Sequence, residues 1–270
     1  VITLAEPWAF ALSHQVSREA STAFVAEWFT PLRETQFLGF AALMIFGVAA
    51  SKFPGCLGFQ AAHKSWGMAA FGLWSSGLIC RVVGWRTYYL SELVPGSDGL
   101  FRLGGILLLL GALCVIQALN VYLPVRHANP TQKFIRAAFG WLIVAGFLLA
   151  FEVAHLRAVG APFSHAYTGG IRHAVTVGFI SQMIVGVGYH LVTRMMMLDE
   201  RVIPQLWSVS LLINLGNGAR VTLEILTDYQ TAAFMPMGWT GFVELLGLGI
   251  WAIVMVRFIL RRGVSYAVAC

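Results

Sequence analysis

Apolar residues in this chain fall in long, nearly unbroken runs, not at the three-to-four residue spacing of a surface helix. Seven runs are long enough to cross a bilayer: approximately 35–52, 65–85, 103–123, 137–156, 172–193, 205–227 and 239–260. A helical span needs roughly 20 such residues to cover about 30 Å of hydrocarbon at 1.5 Å per residue. The pattern predicts an all-α, polytopic membrane protein built as a bundle of about seven transmembrane helices. Turn and breaker signals separate the runs at Pro54-Gly55, Pro95-Gly96, Asn129-Pro130, Gly160-Ala161-Pro162, Pro204 and Pro236, and residues 31–270 read as one transmembrane helical domain. In residues 1–30, Trp8, Phe10, Leu12, Phe24, Val25, Trp28 and Phe29 alternate with Ser, Arg and Glu. That alternation predicts an amphipathic segment lying in the outer interface, and the segment has neither the basic start nor the apolar stretch of a signal peptide.

Composition excludes a soluble protein, since a chain that is 58% hydrophobic and 11% charged, with a mean hydropathy of +0.75, cannot clothe itself in polar surface. The net charge of +6 then reads as topology signal and contact with anionic lipid. No basic stripe with interleaved aromatics lies outside the spans, so nucleic acid is not an expected partner. Lys52, Lys64, Arg126, Lys133, Arg136, Arg194, Arg201, Arg261 and Arg262 fall on one side, against Arg18, Arg33, Arg86, Arg102, Arg157 and Arg172 on the other. The bias places the N-terminus outside and the C-terminus in the cytoplasm. Four cysteines, Cys56, Cys80, Cys114 and Cys270, form no Cys-x-x-Cys element, which leaves no signal for structural zinc or covalently attached haem.

The candidate chemistry lies in the ionisable residues within the spans, which are costly there and mark partners, cavities or cofactors. In the predicted topology Arg81, Glu152, His155, His173, Arg220, Glu224 and Glu244 all fall toward the outer ends of their helices. Glu152 with His155, and Arg220 with Glu224, are spaced to share a helix face. His165, in the loop expected after the fourth span, and His14, in the N-terminal segment, add imidazoles at the same level. Histidine is a common ligand of haem iron and copper, and a nearby carboxylate fixes its tautomer. Each residue also has a plain reading: end-of-helix His and Arg snorkel to headgroups, and Arg220 with Glu224 makes an intrahelical ion pair. His190 stands about 25 Å along the fifth helix from His173 and cannot share a metal with it.

The run Arg172-His173-Ala174-Val175-Thr176-Val177-Gly178-Phe179-Ile180, followed by Met183 and Arg194, resembles the signature helix of the NnrS family of bacterial membrane proteins. Ala137-Ala138-Phe139-Gly140-Trp141-Leu142, Leu78-Ile79-Cys80-Arg81, and Glu34 through Phe40 with Phe53-Pro54-Gly55 are similar to further family segments. The resemblance implies a haem- and copper-containing protein of nitric oxide metabolism and denitrification. On matching positions it points to His173 as a ligand, with Arg81 and Arg194 as accompanying residues. The chain departs from the family at Pro31-Leu32-Arg33 and Met195-Met196-Met197, where the family carries histidines.

The leading expectation is an NnrS-like protein of the bacterial inner membrane with haem b, and copper as a further possibility, held toward the periplasmic face. His173, His155, His165 and His14 are the candidate ligands, Arg81 and Arg220 further cofactor contacts, and Glu152, Glu224 and Glu244 supporting residues. It would handle a nitrogen oxide as a haem-dependent oxidoreductase or transfer electrons, with an electron-donor protein, a partner subunit or a second copy as partner. The alternatives are a metal-free channel or transporter with an outer polar cavity, and a membrane anchor subunit of a respiratory complex.

Overall fold

The computed structural model describes residues 9, 11–12, 17–91, 96–198 and 203–265. The chain is all-α, with seven long helices among these residues: α1 Arg18–Cys56, α2 Lys64–Leu90, α3 Gly99–Leu119, α4 Gln132–Val159, α5 His165–Met195, α6 Trp207–Leu226 and α7 Phe234–Ser265. All but α6 are long and apolar enough to cross a membrane. Helix α6 coincides with the sixth expected span, but Asn214, Asn217, Arg220 and Glu224 lower its hydropathy. Large apolar side chains such as Phe71, Ile79, Leu215 and Phe242 stay more than half exposed. A bilayer is the solvent that covers such residues without penalty.

The helices start and stop where local chemistry directs. Ser17 caps α1 by accepting from the Ala20 amide at 3.0 Å, and Ser164 caps α5 by accepting from the Tyr167 amide at 2.9 Å. Gly160, with a φ of 68°, ends α4 in the left-handed conformation that glycine adopts without steric cost. No helix break falls near residue 30: α1 runs through Pro31 and continues for 39 residues, about 58 Å at the α-helical rise. Two helices carry π-turns, Thr35–Ala41 in α1 and Ala174–Ser181 in α5.

Contacts divide the chain into two compact units. The first comprises residues 1–50, 63–118 and 146–163, and the second residues 51–62, 119–145 and 164–270. In the first unit, glycines let backbones approach as membrane helices do: a Cβ on Gly84 would strike the Phe101 backbone, and one on Gly105 the Leu149 carbonyl. Trp85, Tyr88, Phe101, Val153 and Phe163 fill the space beside them. The indole of Trp85 donates to the Glu27 carbonyl at 3.0 Å and Arg86 pairs with Glu27, so the early part of α1 is fastened to α2. In the second unit Phe134, Val185, Tyr189, Val209, Ile213, Met255 and Phe258 form the core, and Tyr189 donates to the Pro204 carbonyl at 2.6 Å.

Candidate functional site

Among the described residues, helices α5, α6 and α7 of the second unit carry the densest set of ionisable side chains with unpaired buried atoms. Asn217, Arg220 and Glu224 recur at intervals of three and four, so α6 presents them on one face. The Glu224 carboxylate is the hub: its Oε2 lies 3.8 Å from His173 Nε2 and 3.6 Å from Arg220 Nε. Both separations exceed a hydrogen bond, and the one to Arg220 is within ion-pair range. Glycine makes room for the carboxylates, since a Cβ on Gly169 of α5 would collide with that of Glu224, and one on Gly216 of α6 with the Glu244 side chain. Glu244 on α7 is within electrostatic reach of Arg220 and Glu224, and Arg220 donates to the Met237 carbonyl at 3.2 Å.

These groups are buried without being satisfied. His173 Nδ1, Asn217 Oδ1 and Nδ2, Arg220 Nε, Glu224 Oε2 and Glu244 Oε1 have no hydrogen-bond partner in the protein. An unmet buried polar group costs about 1–3 kcal/mol, more if charged, which a fold sustains where a partner from outside the chain is held. One turn before Asn217 the polar chemistry is complete. Asn214 Oδ1 accepts from Trp141 Nε1 and Gln182 Nε2, each at 2.8 Å, and Asn214 Nδ2 donates to the Ser210 carbonyl at 2.7 Å. Trp141 reaches Asn214 because it lies over Gly178, where a Cβ would meet the indole. Gly178 sits in the π-turn that begins directly after His173, a departure from α-geometry found often at functional sites.

The first unit holds a different polar centre. Arg81, 1% exposed, donates to Glu34 Oε1 from Nε at 2.9 Å and from Nη2 at 2.5 Å. Its Nη2 also donates to Glu152 Oε2 at 2.7 Å, and the guanidinium carbon lies 4.0 Å from the Phe101 ring centroid. This centre is well paired apart from Glu34 Oε2.

Of the residues singled out from the sequence, His173, Arg220, Glu224 and Glu244 gather in the second unit, and Arg81 and Glu152 pair in the first. His155 is half-buried in the first unit. His165 is not in a loop: it is the exposed first residue of α5, because the Ser164 cap starts the helix about two turns before the apolar run. Eight residues along one helix, about 12 Å, separate it from His173, so the two cannot ligate a single iron. His14 falls outside the described residues. Sequence reasoning passed over Asn217, although the spacing that marked Arg220 and Glu224 extends to it, and it passed over Glu34 as a partner of Arg81.

Among the described residues no three His, Cys, Asp or Glu side chains are grouped to hold a metal ion. Haem iron takes four ligands from its macrocycle and asks the protein for a single imidazole, a donor of the kind His173 carries, with Arg220 and Arg172 as nearby cations. Cys56 is exposed, and Cys80 and Cys114 are half-buried free thiols. Comparison with protein-family models, with curated proteins and with solved structures finds no match to this chain.

Proposed function

We propose that this chain is a haem-binding protein of the bacterial inner membrane, with its N-terminus outside, that handles a nitrogen oxide or passes electrons. The working centre is the cluster of His173, Asn217, Arg220, Glu224 and Glu244. One observation supports this reading above the rest: His173 Nδ1 is buried in a membrane-spanning helix without a hydrogen-bond partner, whereas buried imidazole nitrogens are ordinarily bonded to a polar group or a metal. The NnrS-like run around His173 agrees with it. A bound haem would supply one-electron chemistry, with His173 as the imidazole that would hold it and Arg220 and Arg172 as the cations near it.

The test is the optical spectrum and iron content of protein extracted from haem-replete membranes. Soret and α bands are expected, with their loss or displacement in His173→Ala and no change in His127→Ala, an exposed residue. His155→Ala tests for a second ligand, whereas His165→Ala, at the exposed start of α5, should leave the spectrum unchanged. Iron-free protein overturns the reading. A metal-free conduit for small ions or protons is then the alternative, favoured by the unpaired atoms of Arg220, Glu224 and Glu244, and Glu224→Gln or Glu244→Gln changes solute flux in that case.

A further inference from the structure

The unpaired atoms at the centre are of mixed character, and their chemistry constrains what meets them. Asn217 Nδ2 and Arg220 Nε can only donate; Asn217 Oδ1 can only accept, and so can Glu224 Oε2 and Glu244 Oε1 when their carboxyls are ionised. An anion would satisfy the donors but face two carboxylates. A cation would satisfy the carboxylates but face a guanidinium and an amide N–H. A molecule that both donates and accepts meets all of them. The 3.8 Å and 3.6 Å separations at Glu224 Oε2 exceed direct hydrogen bonds, so these atoms keep hydrogen-bonding capacity for water.

We propose that Asn217, Arg220, Glu224, Glu244 and His173 hold a cluster of ordered water inside the second unit, with the Asn217 amide as its anchor. Asn217 is 0% exposed and both of its polar atoms are unpaired, while Asn214, one turn earlier, is fully engaged by Trp141, Gln182 and Ser210. The contrast places the hydrated zone from Asn217 toward Glu224 and leaves the Asn214 level dry. Water touching two carboxylates and an imidazole gives the centre a local store of exchangeable protons within the span. The inference rests on the reading of this cluster as the working centre and not on iron.

The experiment is water-edited solid-state NMR of the wild-type chain in lipid bilayers, with its four asparagines labelled with nitrogen-15 and assigned through the backbone. The Asn217 side-chain amide is expected to take up magnetisation from water about threefold faster than that of Asn214, a control on the same helix whose partners are all protein atoms. A build-up at Asn217 no faster than at Asn214 overturns the proposal. An optical spectrum of the same sample reports on haem independently, so failure of one reading is distinguishable from failure of the other.

Discussion

Arg81 holds Glu34 by two donors converging on a single carboxylate oxygen, from Nε at 2.9 Å and Nη2 at 2.5 Å, and the same Nη2 reaches Glu152 at 2.7 Å. One guanidinium thus ties α1, α2 and α4 together within the first unit. Removing it leaves two carboxylates facing each other in a low-dielectric interior. Arg81→Ala is expected to cost about 3–5 kcal/mol, read by denaturant or thermal unfolding in detergent. Arg81→Lys should recover little, since an ammonium cannot reproduce the fork geometry or stack on Phe101. Wild-type stability in Arg81→Ala would show that the triad contributes nothing to the fold.

Helix approach in the first unit depends on particular glycines. A Cβ at Gly105 has nowhere to go but into the Leu149 carbonyl, whereas one at Gly72 meets nothing within 4 Å. Gly105→Ala should therefore lower stability by about 1–3 kcal/mol through forced displacement of α3 from α4. Gly72→Ala should be neutral or slightly stabilising. Equal effects of the two on the unfolding midpoint would contradict the packing described.

For Asn217, an apolar replacement discriminates between bonded and unbonded amides. Leucine is of similar size, and removing an unmet buried amide by such a swap is neutral or stabilising, while removing a bonded one is destabilising. If Asn217 is bonded to water, Asn217→Leu should lower stability by about 1 kcal/mol. A raised melting temperature in the variant would argue against the bonds.

Tyr122 lies between α3 and α4 and donates from its hydroxyl to the Arg136 carbonyl at 2.9 Å. Desolvation raises its pKa above the ordinary value near 10, with Arg136 partly opposing the shift. Because the folded pKa is the higher one, the fold binds this proton more tightly than the unfolded chain does. Its contribution is complete below about pH 10 and is lost as pH rises through the folded value. An alkaline stability titration should show a steeper fall for wild type than for Tyr122→Phe; superimposable curves would refute the coupling.

Much of this architecture was legible because the bilayer imposes it. The uninterrupted runs in α2, α3, α4 and α7 mark helices directly, and Gly160 marks a helix end. The spacing of Arg220 with Glu224 placed them on one face, and His173 meets them because α5 packs on α6 in the same unit. Other features depend on information that periodicity does not carry. The run of α1 back to Arg18 follows from Trp85, Arg86 and Glu27, a set of contacts visible only in three dimensions. His165 joined α5 through a serine cap just outside the apolar run. Glu34 directly precedes the first apolar stretch, where the pattern offers no sign of a partner, although Arg81 draws it inside. Asn217 carries no charge and was overshadowed by the glycines on either side of it.

The two π-turns bear on how such sites arise. Each admits one residue more than an α-helix holds, and one residue corresponds to about 100° of rotation around the axis. Glu34 and His173 both stand immediately before such a turn. The extra residue acts as an azimuthal dial: it sets where a polar side chain points while the remainder of the helix keeps its apolar stripe toward lipid. A single-residue insertion can in this way re-aim an ionisable group into the protein interior, a change of bearing that no substitution at the group itself would achieve.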